Sequence, residues 1–241
     1  FTRAGSQPTR GNLPPSAKRL GVNPWPAIQL SLLVATLSST LLLPLATLLG
    51  YKLQRGRLGV VTRWWLSLPL SLPPLASGVL LLWLFSPLWP LGAWFSEHGL
   101  NPVLTWYGAV LASSLVALPL AVEAAEAAWQ SYTTEMAWEA RSLGATPARA
   151  WREVGLPQVA PGLVRVWAVA FQRSLGEFGA TLLVAGNIPG QTQTLPLALY
   201  VASESGNSGE AALLLGWSLL LALLAASVAQ WARARTVPAG Y

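Results

Sequence analysis

The chain has no cysteine and no aspartate, a single histidine, and only 10% charged residues across 241 positions. Without thiols, disulfides, thiolate nucleophiles and thiolate metal sites are all excluded. One imidazole, His98, cannot build a histidine metal centre without other ligands, so no cofactor is expected. A G-x-S-x-G nucleophile elbow is also missing, which leaves little for an intramembrane hydrolase to work with. Absent too is the G-x-x-x-x-G-K-[ST] loop that cradles nucleotide phosphates, so any ATP chemistry must come from another polypeptide.

What is present is apolar. Hydrophobic residues make up 53% of the chain, whereas an ordinary soluble domain carries about 25% charged residues. There is too little polar side chain to cover a water-soluble surface. A helix crossing a hydrocarbon core of about 30 Å needs roughly 20 mostly apolar residues, and five segments approach or reach that length: about 28–50, 65–85, 104–128, 162–185 and 211–231. The fold class is therefore all-α, a polytopic membrane bundle of about five transmembrane helices. Residues 25–235 form the membrane domain, flanked by a polar basic tail at 1–24, expected to be poorly ordered, and a short tail at 236–241. The 1–24 tail lacks an apolar core and does not resemble a signal peptide.

The chain carries 15 Lys and Arg against nine acidic residues. In a soluble protein this excess would suggest a nucleic-acid partner, but its placement describes topology instead. Lys52, Arg55, Arg57 and Arg63 fall in one connection, Arg141, Arg149 and Arg152 in the loop 129–161, and Arg233 and Arg235 at the C-terminus. Segments 86–103 and 186–210 contain neither Lys nor Arg, so the basic connections are expected in the cytoplasm. The same count puts the 1–24 tail outside despite Arg3, Arg10, Lys18 and Arg19, the one conflict in the layout. Trp25, Trp64, Trp65, Trp89, Trp106, Trp129 and Trp231 sit near proposed span ends, where indoles favour the headgroup layer, while Trp167 and Trp217 read as core.

Pro69, Pro73 and Pro74 fall inside the second span. Each removes a backbone donor and crowds the preceding turn, so this helix should be kinked or interrupted. Such a break persists in a membrane only where protein or a wet cavity satisfies the freed carbonyls, which favours a helix lining a pathway.

Between the third and fourth spans runs "EMAWEARSLGATPARAWREVGLPQVAPGLV", residues 135–164. Residues 135–143 predict a short helix with Gly144 as a left-handed cap, and Pro147, Pro157 and Pro161 punctuate the return to the membrane. On composition alone this is either a projecting knob or an amphipathic helix lying on the bilayer. The pattern "ARSLGA", with "LP" twelve residues after Gly144 and a further proline four beyond, resembles the EAA loop of ABC-importer permeases. That resemblance implies a coupling helix that docks on a cytoplasmic ATPase, with Ala140, Arg141, Leu143, Gly144 and Ala145 docking and Leu156 and Pro157 closing the loop. This chain reads Trp138, Glu139, Ala140 where the family usually reads Glu-Ala-Ala. Glu139 is thereby displaced by one position, about 100° around a helix.

The fourth span carries Arg173 and Glu177, four apart and within mutual reach on a helix. They form either a structural ion pair locking two helices or a mark of the transport pathway. Gly176, Gly179 and Ala180 permit close approach by a neighbouring helix. The stretch "RSLGEFGATLLVAGNIPGQTQTLPLALY", together with "LPLSLPPLASGVLLL" in the second span, is very similar to molybdate ABC-transporter permeases, and the likeness runs from about residue 24 to 232. It implies a pathway or gate at Pro73, Pro74, Arg173, Ser174, Gly176, Glu177, Gly179 and Thr181. The loop "GNIPGQTQT" has no charged residue and reads on composition as a solvated turn; the resemblance implies that Asn187, Gly190, Gln191 and Thr192 face an oxyanion-binding protein. The implied function is that of a homodimeric permease subunit, driven by separate ATPase subunits, importing molybdate or tungstate. A sulfate permease, an intramembrane hydrolase and a non-transporting scaffold are the competing readings.

Overall fold

Residues 23–234 are described by a computed structural model, with side chains to residue 231. The expectations for 1–22 and 236–241 lie outside these residues. Among the described residues, four helices are long and apolar enough to cross a membrane, and a bent pair makes a fifth candidate. The traverses are α1 (Trp25–Gln54), the pair α2 (Val60–Ser71) and α3 (Pro74–Leu84), α5 (Trp106–Gln130), α8 (Leu156–Leu175) and α11 (Ser208–Ala234). Shorter helices connect them: α4 (Pro90–Glu97), α6 (Thr134–Ser142), α7 (Pro147–Ala150), α9 (Gly179–Val184) and α10 (Leu195–Glu204).

At the centre, α1, α5 and α8 pack mutually against one another. The buried face of α5 is largely alanine, including Ala109, Ala112, Ala117, Ala121, Ala124, Ala125 and Ala128. Lipid tails are as apolar as leucine, so helix association in a bilayer depends on close packing of small residues rather than on hydrophobic burial. Two glycines set the distances. A Cβ on Gly50 of α1 would fall 2.6 Å from the Glu126 backbone nitrogen of α5, and one on Gly162 of α8 would fall 2.3 Å from the Ala128 Cβ. Neither position admits any side chain without separating the helices.

The second traverse breaks where the prolines demand it. A residue before proline is pushed out of the helical region, and Leu72 and Pro73 adopt extended ψ values of 142° and 138°. Pro74 then opens α3, whose axis departs from that of α2 by 112°.

Charge segregates by end. Arg55 of the first basic connection donates to Thr134 at the start of α6, 3.5 Å away, so two basic segments meet. Arg63 at the start of α2 grips Glu126 of α5 with two bonds of 2.9 and 2.7 Å. At the opposite end the Leu104 N–H donates to the Val184 carbonyl at 2.8 Å, one residue after the first Lys- and Arg-free segment and two before the second.

Four expectations need correction. The fourth span ends at Leu175, not near 185, because Glu177 accepts a bond from the Ala180 backbone N–H at 3.0 Å and starts α9 as a separate helix. Gly179 and Ala180 therefore do not share a helix with Arg173. The return from α6 is helical rather than irregular: α7 runs through a π turn (Trp151–Gly155) into α8, with the Leu156 N–H reaching back to the Trp151 carbonyl. Pro157 offers no N–H, and the wider turn carries the helix past it. Segment 186–210 is not only a loop, since α10 buries Leu195, Ala198 and Ala202 against Ala27, Ile28 and Leu214. Trp217, read as core, is exposed.

Candidate coupling knob and membrane gate

The α6 knob is built by its ends. Thr133 caps the N-terminus, its hydroxyl accepting the Met136 N–H at 3.3 Å. Together with the Glu135 backbone N–H, the Thr133 hydroxyl holds the Glu135 carboxyl below its ordinary range. At the other end Gly144 has φ +88°, its N–H bonds Arg141 at 3.0 Å, and the Ala145 N–H bonds Ala140 at 3.1 Å. These are the two bonds of a Schellman cap, which requires a left-handed residue at the glycine position. No residue of α6 is buried. Its outer surface presents Trp138, 65% exposed, with the Arg141 guanidinium over its ring at 5.4 Å, and Leu143, 88% exposed. Such large apolar side chains held out on a rigid, capped helix suit a protein-binding site. Glu139 is exposed beside them, while Ala140 and Ala145 are half-buried. Leu156 and Pro157 lie beyond the π turn, opening α8.

The base of the knob is tied to the bundle by an aromatic cluster that the sequence reading did not identify. Trp129 stacks on Trp151 at 5.5 Å and meets Tyr51 edge-on at 4.9 Å, while Tyr132 meets Trp151 at 5.8 Å. The Trp129 indole also donates to the Thr47 carbonyl at 3.0 Å. The rings thereby pack the π turn against the ends of α1 and α5.

On the gate side, Arg173 and Glu177 form an ion pair of 2.8 Å, with the Glu177 side chain 1% exposed and that of Arg173 26%. Both Glu177 oxygens are engaged, one by Arg173 and one by Ala180. The carboxylate therefore compensates a charge and fixes the break between α8 and α9. Beside it, a Cβ on Gly179 would fall 2.9 Å from Pro74 Cβ and 3.1 Å from the Leu75 nitrogen. The structure so brings two of the expected regions together, the proline break and the α9 glycine. Ser174 and Thr181 are buried, and their hydroxyls have no partner among the described residues, nor does that of Ser77 on α3. Such hydroxyls cost about 1–3 kcal/mol each while unpaired.

In the loop that follows, Gly190 and Gln191 are exposed and Asn187 accepts from the Gln193 amide at 2.9 Å. Thr192 turns inward: it is 2% exposed and its hydroxyl accepts the Ile188 N–H at 3.0 Å. It shapes the turn and is not offered to a partner.

A profile described as "binding-protein-dependent transport system inner membrane component" matches residues 42–236. The chain is 37% identical over 217 residues to the molybdenum transport system permease protein of Mycobacterium tuberculosis, covering 88% of this chain and 81% of that protein. To the protein of the same description in Escherichia coli K12 it is 36% identical over 217 residues, 86% and 92% of the respective lengths. A sulfate transport system permease protein of Salmonella typhimurium is 32% identical over 160 residues, 65% of this chain and 58% of that one.

Proposed function

The chain belongs to the binding-protein-dependent transport system inner membrane components, and from that premise we propose that it is the transmembrane subunit of an ATP-driven importer of molybdate, with tungstate as a second cargo. The observation that carries the cargo is the 36–37% identity to molybdenum permeases over 217 residues. Two copies form the membrane unit, a soluble oxyanion-binding protein delivers at the end free of Lys and Arg, and ATPase subunits dock on α6 at the basic end. The chain supplies no ATP site of its own, in keeping with the missing phosphate loop.

Its work is differential stabilisation of two conformations by partners. When the ATPase subunits close, they displace Trp138, Arg141 and Leu143, and the Trp129–Trp151 stack passes the displacement to α1 and α5. The break at Pro73 and Pro74, packed on Gly179, supplies a joint between short helices that move against each other as rigid pieces. The Arg173–Glu177 pair anchors the far side of that joint.

Proteoliposomes containing this chain, its ATPase and its binding protein test the reading. ATP-dependent accumulation of labelled molybdate, competed by tungstate and weakly by sulfate, is expected. Because the sulfate permease relative covers 65% of the chain, sulfate is the second reading. Accumulation of sulfate in preference to molybdate would establish it, and no ATP-dependent uptake of any oxyanion would refute both.

A further inference from the structure

The first basic connection is held more rigidly than topology alone requires. α1 ends in a Schellman cap: Gly56 has φ +64°, its N–H bonds the Leu53 carbonyl at 3.0 Å, and the Arg57 N–H bonds the Lys52 carbonyl at 2.9 Å. The cap fixes the backbone that carries Lys52, Arg55 and Arg57. The Tyr51 ring gathers two of them, with the guanidinium carbons of Arg55 and Arg57 lying 5.6 and 6.0 Å from its centroid. Arg55 and Arg57 are exposed and Lys52 is half-buried. Among the described residues none of the three is in an ion pair. The neighbouring acids are engaged elsewhere. Glu126 takes the fork of Arg63, and Glu135, beside the Thr134 hydroxyl that Arg55 reaches, is held by the Thr133 hydroxyl and its own N–H. Glu123 stands three residues before Glu126 on α5, about 4.5 Å further from the basic end.

Aromatic residues around this corner give its depth. Tyr51 meets Trp129 edge-on at 4.9 Å, and α2, which begins three residues after Arg57 and buries none of its residues, exposes Trp64 and Trp65 at 69% and 70%. Such rings favour the headgroup layer, so cations about one turn beyond Tyr51 stand at the level of the lipid phosphates. Val60 and Val61 at the start of α2 are exposed as well. A phospholipid matches both halves of this surface, its phosphate the cations and its acyl chains the valines and indoles, whereas an acidic protein surface would match the cations alone. The guanidinium fork fits phosphate oxygens, and lysine adds a point charge. Two guanidiniums held around one ring without a counter-charge repel each other, and a single phosphodiester at the corner relieves that repulsion.

We propose that the capped corner of Lys52, Arg55 and Arg57 is a binding site for the headgroup of an anionic phospholipid in the leaflet at the basic end, with the acyl chains lying against α2. The full-length permease is equilibrated with phosphatidylglycerol and phosphatidylcholine in equal parts, extracted in mild detergent, and its retained lipid identified by native mass spectrometry. The wild type should retain phosphatidylglycerol preferentially. Lys52→Gln combined with Arg57→Gln should lower that preference about 25-fold, about fivefold for each basic residue removed. Arg55 and Arg63 remain in this variant to hold the orientation of the connection. Lys52→Arg combined with Arg57→Lys, which keeps both charges, should retain lipid as the wild type does. So should Arg152→Gln, which removes an exposed charge from the π turn at the same end.

Equal retention of the two lipids by the wild type, or an undiminished preference in the double glutamine variant, would overturn the proposal. A drop of the same size in Arg152→Gln would also overturn it, by showing diffuse attraction at the basic end in place of a site. The competing occupant is the ATPase. Titrated onto the permease in nanodiscs of phosphatidylcholine alone, the ATPase should bind the double glutamine variant as tightly as the wild type, and weaker binding there would assign the corner to the ATPase and overturn the lipid site. None of these readouts involves transport, so a different cargo would leave the site standing.

Discussion

Replacing Gly144 isolates conformation from contact. Its φ of +88° is one that L side chains rarely adopt, yet a Cβ built there meets nothing within 4 Å. Any penalty is therefore in the backbone alone. A left-handed alanine costs about 1–2 kcal/mol, and a β-branched residue costs more because its branches crowd the same backbone. Asparagine, which tolerates this region, should cost little. Each 1.4 kcal/mol is about tenfold in an equilibrium constant. If docking requires the capped form of α6, Gly144→Ala should weaken ATPase binding about 5- to 30-fold, Gly144→Val should abolish co-purification, and Gly144→Asn should stay near wild type. The assay is titration of the labelled ATPase onto the permease in nanodiscs, with membrane insertion checked in parallel. Equal loss for Ala and Asn, or full binding by Val, would refute the reasoning, since the first would indicate lost contact and the second an unneeded cap.

For the ion pair, reversing both charges at Arg173 and Glu177 should recover only part of what either single reversal loses. The restored attraction leaves the Ala180 N–H without its carboxylate, and uptake by the double variant no better than the product of the singles would show the residues uncoupled. Gly179→Leu should separate α9 from α3, given the 2.9 Å approach to Pro74; overpacking of this kind costs about 1–3 kcal/mol, read as a lower melting temperature in detergent. Breaking the Arg63–Glu126 fork with Glu126→Gln should change the ATPase rate of the assembled complex while leaving assembly intact, and an unaltered rate would show that the fork does not report on the conformational cycle. Because Glu135 titrates below its ordinary value of 4.5, its contribution to α6 is fully present above that pH and lost as pH falls through the lowered value. Docking of a Glu135→Gln variant should therefore lack the acid-side decline of the wild type.

What could be read from the sequence was whatever depends on pattern within one segment. Span number, the basic and non-basic ends, the proline break and the α6 cap all follow from local chemistry. What escaped depends on competition between segments. Nothing in "SLGEFGAT" announces that Glu177 will cap α9 and end α8 ten residues early, because the sequence alone does not say which backbone N–H it will reach. The Trp129–Trp151 stack joins residues 22 positions apart and had only the ordinary interface role of indoles to suggest it. Thr192 looked like one of several polar loop residues, and only the fold shows its hydroxyl holding the turn closed.

The bent pair has a consequence for how the chain is made. At 1.5 Å per residue, the 12 residues of α2 and the 11 of α3 are each about 18 Å long or less, well short of the roughly 30 Å of hydrocarbon. Neither can be released into lipid as a unit by the insertion machinery, nor can the extended peptide at Leu72 and Pro73 be left bare there. Both must be retained until later helices arrive, and α9, with Gly179 against Pro74, comes more than a hundred residues afterwards. The second traverse is therefore completed only once α9 has been made, although it is synthesised early, and chains truncated before α9 should be recognised by membrane quality control as unfinished.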